Sequence, residues 1–376
     1  MTETNFPSKE EIRERLVALT RDLILIPSIP SQPEDIDRGM KLVRNHLESL
    51  DNLLITEFSP DGNPSLIALP KNISKPEILL CGHIDVISHP DLKSYRSRIE
   101  NGRIYGPGAG DMKGPLAILL EVFREMHTKN PECSLGLMVT SDEELGGETG
   151  VHHLVEKVGI CCDTVMIPDG GSLTEIPLEE KGVLHLKLHA SGHSAHAARP
   201  WLGENPLEKL TLKLNEILEY FREFQEKDTN WHPTCSLTII STPNETVNRI
   251  PHEAEAVLDI RFTPPHTLKE ILNKVQEIAG EGILTEIIIS AEPSHLSPDP
   301  LFLKVTEEVT GITPKLIKED GGSDARFFCN KNISVIVSRP VMGSIHAEDE
   351  WIDIDSMVTF YYIYKKYLKK KLAPAQ

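Results

Sequence analysis

Read by its apolar positions, the chain opens with a helix. Ile12, Leu16, Leu19 and Leu23 recur at helical spacing from Lys9 to about Leu25, and Ser8 followed by Glu11 forms a capping box at its start. Glu77 to Cys81, Ser134 to Thr140 and Thr164 to Ile167 are short, mainly apolar runs that predict buried strands, and Pro115 to Met126 predicts a helix. Strand and helix in alternation imply a mostly parallel sheet with helices on both faces, an α/β architecture.

Between Lys181 and Ser290 the pattern changes. Val183 to Ala190 alternates as a strand, Pro206 to Phe224 is helical, and Ser236 to Ile240 and Ala254 to Phe262 are strands. Leu268 to Ala279 is helical and Ile283 to Ile289 is again a strand. That β-α-β-β-α-β order is the ferredoxin-like arrangement. After Ala291 the first pattern resumes, with a helix over Pro300 to Val309, a strand over Asn332 to Val337 and a last helix over Asp355 to Lys370. A chain of 376 residues exceeds what one core usually supports. We therefore expect a discontinuous main domain, residues 1–181 and 291–376, interrupted by an inserted domain over 182–290.

The predicted strands share one property: each delivers metal-competent side chains at its carboxyl end. The first runs into His83-Ile84-Asp85, the second into Asp142-Glu143-Glu144 and the third into Pro168-Asp169. In open α/β sheets the ligand site lies beyond those ends, so the three point to one pocket. Period-two alternation puts His83 and Asp85 on the same side, where one can bind a metal while the other orients it, because a ligating imidazole gives its second N–H to a carboxylate or carbonyl. Glu143 and Glu144 point differently on leaving their strand, so one can ligate while the other takes a proton from water. Asp169 adds an oxygen ligand, although an Asp-Gly turn is its ordinary structural reading. The segment from Tyr105 to Gly114 packs four glycines and Pro107 around Asp111 and predicts a tight turn before a helix. It lacks the G-x-x-x-x-G-K-S/T pattern, and a carboxylate there would repel phosphate. The split main domain allows His346, late in the chain, to join His83. Together these clusters read as a two-metal hydrolase site.

Composition narrows the partners. A net charge of -18 disfavours nucleic acid or an anionic membrane surface. Lys365, Lys366, Lys369, Lys370 and Lys371 form a basic stretch read as cations at a helix C-terminus. The first fifteen residues lack the apolar core of a signal peptide, and no apolar run approaches a membrane span, so a cytoplasmic protein is expected. Six cysteines without a Cys-x-x-Cys pair read as small buried hydrophobes, with a metal or redox role for Cys161-Cys162 the lesser reading.

One ordered set of motifs spans most of the chain: His83-x-Asp85, Gly106-Pro-Gly-x-x-Asp111-Met-Lys-Gly, Glu143-Glu144, Asp169, Gly192-x-x-x-His196 with Pro200 and Gly203-x-Asn205, and His346 with Glu350. It resembles the cocatalytic zinc aminoacylase and carboxypeptidase family, which includes acetylornithine deacetylase, succinyl-diaminopimelate desuccinylase, glutamate carboxypeptidase and related dipeptidases. The resemblance implies two zinc ions bridged by Asp111, with His83 and Asp169 completing one site, Glu144 and His346 the other, and Glu143 as general base. Imidazole and carboxylate ligands suit zinc, and cobalt or manganese could substitute. His196, or failing it His193, matches the family histidine that reaches an active site, commonly that of a second subunit, and stabilises the oxyanion. A homodimer through the inserted domain follows from that resemblance. Arg326 in Gly321-Gly322-Ser323-Asp324-Ala325-Arg326 resembles a position that anchors a substrate carboxylate, and Asn248 is a candidate amide contact.

The sequence also departs from common relatives. Ser88-His89-Pro90 stands where many carry proline or tryptophan, the following loop holds Lys93, Arg96 and Arg98, and Pro107 replaces an arginine of many deacylase-type relatives. The expected activity is a dizinc amidohydrolase cleaving the amide of an acetyl- or succinyl-type N-acyl amino acid, or of a small peptide with a free carboxylate. The alternative is a dipeptidase or glutamate-carboxypeptidase-like exopeptidase. A metal-binding scaffold without catalysis predicts a missing base or ligand, and none is missing.

Overall fold

The computed structural model describes residues 7–89, 91–225, 229–329 and 331–373, which leaves Pro90 of the Ser88-His89-Pro90 departure outside. In chain order the first elements are α1 (Lys9–Ile24), α2 (Pro33–Leu47), β1 (Leu53–Phe58), β2 (Ser65–Pro70), β3 (Ile78–His83), β4 (Arg98–Glu100), β5 (Arg103–Tyr105), α3 (Gly114–Lys129), β6 (Leu135–Thr140) and β7 (Thr164–Ile167). Then come β8 (Glu175–Glu180), β9 (Gly182–Ser191), α4 (Pro206–Arg222), β10 (Thr234–Ser241), β11 (Glu253–Phe262), α5 (Leu268–Ala279) and β12 (Ile283–Ala291). The chain closes with β13 (Ser294–His295), α6 (Pro300–Thr310), β14 (Lys315–Glu319), β15 (Ser334–Val337), β16 (Met342–Gly343), β17 (Trp351–Asp353) and α7 (Ile354–Lys371).

Two compact units result. The first takes the residues up to Leu178, His295–Ile317 and those from Ser323 on; the second takes Glu179–Ser294 and Lys318–Gly322. The short return segment is tied to the second unit by backbone and by charge, the Lys181 N–H donating to the Glu319 carbonyl at 3.2 Å. Lys181 is buried, and its Nζ lies 2.7 Å from Asp320 Oδ1 and donates to the Asn230 carbonyl, while Lys318 pairs with Glu179 at 2.9 Å.

In the first unit a six-stranded sheet runs in the order β1-β2-β6-β3-β7-β15. Strands β6, β3, β7 and β15 are parallel, and β2 and β1 add an antiparallel edge. Every residue of β3, β6 and β7 is buried because both faces are covered. Ile78 and Leu80 face the cluster built with α1, α3 and α7, whereas Leu79 and Cys81 face a second cluster with Val151, Leu154 and Phe328. The capping box expected at Ser8 is formed, with the Glu11 carboxylate accepting from the Ser8 N–H. Strands β16, β17, β5 and β4 form a small antiparallel sheet that sequence patterning does not announce, each being two or three residues long.

The basic end of α7 is held by more than the helix dipole. Lys365 pairs with Glu125, Lys366 and Lys370 with Glu308, and Lys371 with Asp299. Of the six cysteines expected to be buried, Cys81, Cys133 and Cys162 are, whereas Cys235 and Cys329 are half-buried and Cys161 is exposed.

The second unit follows β9-α4-β10-β11-α5-β12, with sheet order β10-β11-β9-β12 and every neighbouring pair antiparallel. Leu184, Leu186, Leu188 and Ala190 of β9, with Ala254, Ala256, Leu258 and Ile260 of β11, pack against Leu210, Leu214 and Ile217 of α4 and Ile271 and Val275 of α5. The intervening positions point the other way, as strand alternation requires, and carry polar contacts: His185 Nε2 lies 3.2 Å from Asp259 Oδ2, and Lys187 pairs with Glu255 at 2.9 Å. Among the described residues no helix is long and apolar enough to cross a membrane.

Candidate metal centre and active site

The parallel register sets the ends of β3 and β6 level, with His83 opposite Thr140, and places the loops after β3, β6 and β7 side by side. Six side chains from these loops and two others gather into two groups. His83, Glu143 and Asp169 form one, and Asp111, Glu144 and His346 the other, with the ligand-type atoms of each group within 4.8 Å of one another. Asp111 lies between them: its Oδ1 is 3.2 Å from His83 Nε2 and its Oδ2 is 3.4 Å from His346 Nε2. His346 Nε2 is also 3.3 Å from Glu144 Oε2.

Each side chain owes its direction to local backbone. Asp111 leaves a turn that begins at Gly108, whose φ of 74° is the left-handed conformation glycine adopts without cost; a Cβ there would also lie 2.5 Å from Val86. Glu143 and Glu144 start a single helical turn, Glu143–Leu145, closed by Gly146. His346 has φ 63°, a conformation uncommon outside glycine and one that concentrates at functional positions.

Asp85 is fully buried and has a wider part than its expected pairing with His83. The nearer acceptor for His83 Nδ1 is the Asp85 backbone carbonyl, at 3.0 Å, with the carboxylate Oδ1 at 3.4 Å. The carboxylate instead accepts the backbone N–H groups of Glu144, at 3.0 Å, and Glu143, at 3.4 Å. With Nδ1 donating to the carbonyl, His83 Nε2 is free to serve as a ligand.

The electrostatics are those of carboxyl groups crowded around two imidazoles. Burial pushes the Glu143 carboxyl well above its usual range, and Asp169, Asp324 and Asp111 push it the same way against His83. Asp169 is raised to about 7 by burial and by Asp111. His346 is raised to about 10 by its bonds to Asp111 and Glu144. Asp111 is lowered: burial opposes its charge, but His346 and His83 outweigh that. Glu144 Oε1 is buried and has no hydrogen-bond partner. Four carboxylates and two imidazoles converging on an orphaned buried oxygen fit two divalent ions bound by nitrogen and oxygen.

The remaining expected residues are placed as follows. Arg326 is half-buried and donates to the carbonyl of Ser323, at 3.1 Å, within its own turn, and to that of Gly146, at 2.8 Å, so one of its donors holds the end of the Glu143–Glu144 turn. In the second unit His196 is exposed, bridges to Arg249, and accepts the Ala198 N–H at its Nδ1, which leaves Nε2 outward. His193 is also exposed, and its backbone pairs with Glu204. Asn248 is exposed and its carbonyl accepts the Ala197 N–H, so it shares the His196 loop.

Four supporting groups were given no task by the sequence. Asp142 accepts the N–H groups of Thr149 and Gly150. Arg339, just beyond the end of β15, donates to the Gly171 carbonyl behind Asp169. Lys113 is buried and donates to the Ile26 carbonyl. Glu350 accepts from the Asp111 turn. Asp142 stands in the acidic run, and Lys113 and Glu350 stand in the motif set, but the tasks of Lys113, Glu350 and Arg339 are done on backbone groups distant in sequence.

Residues 79–370 match the family described as peptidase family M20/M25/M40. The chain is 28% identical to succinyl-diaminopimelate desuccinylase of Pseudoalteromonas translucida (strain TAC 125) over 324 residues, covering 80% of this chain and 85% of that one. Its fold is similar to the dipeptidase Dug1p from Saccharomyces cerevisiae, with a TM-score of 0.80 and 17% identity over 98% of both chains. It is also similar to the M20 family metallo-carboxypeptidase Sso-CP2 from Sulfolobus solfataricus, with a TM-score of 0.77 and 21% identity over 95% of this chain and 98% of that one. The chain belongs to peptidase family M20/M25/M40 and is a metal-dependent hydrolase.

Proposed function

We propose that the protein hydrolyses the amide bond of an N-acyl amino acid, of the acetyl or succinyl type, or of a small peptide with a free carboxylate. The observation that carries this is Asp111, whose two oxygens face histidines of two different ligand groups. In this reading His83 and Asp169 would hold one zinc and Glu144 and His346 the other, with Asp111 available to both. Two such ions would supply Lewis-acid chemistry, polarising the scissile carbonyl and lowering the pKa of water.

The chain's own residues do the rest. Glu143, whose Oε2 lies 3.9 Å from His83 Nε2, accepts a proton from water as its oxygen attacks the carbonyl carbon. It then returns the proton to the nitrogen as the C–N bond breaks, giving a carboxylate and an amine. Asp85 fixes the His83 ring and both glutamates. His196 donates through Nε2 to the oxyanion, and Arg326, with the N–H groups its carbonyl partners leave over, or Asn248 receives the substrate carboxylate.

The inserted β-α-β-β-α-β unit is read here as a ferredoxin-like lid and dimerisation domain. Its edge strands β10 and β12 carry exposed Ile239, Ile240, Leu284, Ile287 and Ile288, which suits contact with a second copy. Sedimentation as an active monomer would contradict the dimer.

The second reading is a dipeptidase or carboxypeptidase, favoured by the fold neighbours as the desuccinylase relative favours deacylation. Amine release from N-acetyl amino acids, N-succinyl amino acids and unblocked dipeptides, with added zinc and again after chelation, separates them. The class with the larger kcat/KM names the branch, and chelator-insensitive turnover overturns the metal reading.

A further inference from the structure

Glu350 is 2% exposed, and its carboxylate accepts three backbone N–H groups from one turn: Gly108 at 3.0 Å through Oε2, and Gly110 at 2.8 Å and Asp111 at 2.9 Å through Oε1. Its own carbonyl accepts the Gly106 N–H at 3.0 Å. One residue thus grips both ends of the segment that carries Asp111. Glu350 also lies four residues beyond His346, in a segment folded by two tight turns, Ala347 N–H to Ser344 carbonyl and Glu350 N–H to Ala347 carbonyl. Through this segment the His346 ligand and the Asp111 turn are tied to each other.

We propose that Glu350 is a positioning residue of the metal centre, its carboxylate setting the direction of Asp111 so that the two Asp111 oxygens face His83 and His346. This rests on the reading of Asp111 as the shared ligand.

The fold supplies its own restraints here. Trp351 pairs with Tyr105 and Ile352 with Ile104 in the β17–β5 ladder, so the backbone beside the turn is anchored whether or not Glu350 carries a carboxylate. What that ladder does not provide is an acceptor for the three inward N–H groups. A buried carboxylate accepting several N–H bonds meets that need. Gln has the same shape but one acceptor oxygen, and its NH2 would face an N–H donor.

The test is Glu350→Gln in the full chain. Zinc affinity is measured by competition with a chelating dye, the visible spectrum with cobalt in place of zinc, the melting of the metal-free protein, and kcat and KM separately. The expected result is a metal-free melting curve close to the parent's, metal affinity lower by about 10- to 100-fold, an altered cobalt spectrum, and a lower kcat at little-changed KM. Parent-like affinity and cobalt spectrum would overturn the proposal, whatever happens to the rate. If Glu350→Gln does not fold, Glu350→Asp decides: it keeps the charge but withdraws it by one methylene, and parent-like affinity there would likewise overturn the proposal. A parent chain that takes up no pair of ions would instead overturn the reading on which the proposal rests.

Discussion

The Asp85 carboxylate accepts the backbone N–H of Glu144 at 3.0 Å. Because the carbonyl of the same residue receives the His83 ring, one buried aspartate ties the end of β3 to the turn after β6. Asp85→Ala should leave two inward N–H groups without an acceptor and let both ligand sets drift. We expect metal affinity to fall about 10- to 100-fold with a parallel loss of kcat. Zinc competition and steady-state kinetics on the same preparation check this, and unchanged affinity would reduce Asp85 to a packing residue.

Glu143→Gln keeps the shape of the side chain and removes its basicity. Turnover should fall by about 100- to 10,000-fold, the range of general acid–base contributions, while both metals stay bound. Metal content by elemental analysis must accompany the rates. Loss of metal together with rate would place Glu143 among the ligands instead.

The second unit has a core of its own, which makes its stability separable from the chemistry. Leu258 is fully buried between β9 and the helices α4 and α5. Leu258→Ala should cost about 2–5 kcal/mol of that unit's stability. Denaturant titration should show the loss, and metal stoichiometry should stay at the parent value.

Acid stability has one readable contributor at the C-terminus. Burial opposes the charge of Asp299, but Lys371, the Leu301 N–H and Tyr367 outweigh it, so its folded pKa is lowered. A carboxyl depressed on folding contributes stability that is present above its unfolded pKa, about 3.9, and is lost as pH falls through the lower folded value. Asp299→Asn should therefore flatten the stability profile in that acid window and leave its slope near neutral pH unchanged. Urea midpoints measured across pH check the sign.

The parallel strands and their chemistry were legible for the same reason. β3, β6 and β7 are buried on both faces, so each reads as an apolar run, and the polar residue that ends each run is the one at the sheet's carboxyl edge. The edge hairpin β1–β2 was not legible, since Leu53 to Phe58 is largely exposed and carries little pattern. The small sheet of β4, β5, β16 and β17 was not legible either, its strands being shorter than one alternation can mark. Glu350 could be named in a motif but not given a task, because its partners are backbone N–H groups some 240 residues earlier. Backbone donors leave no residue-type signature.

The most direct test of the two-ion amidohydrolase is to add zinc stepwise to metal-free protein and follow amine release from an N-acyl amino acid or dipeptide that the parent turns over. The account predicts no release without metal and a rate that reaches its plateau at two zinc ions per chain, one for each ligand group, with Asp111 lying between His83 and His346. Full activity without metal, or a plateau at one ion per chain with no further binding, would contradict it.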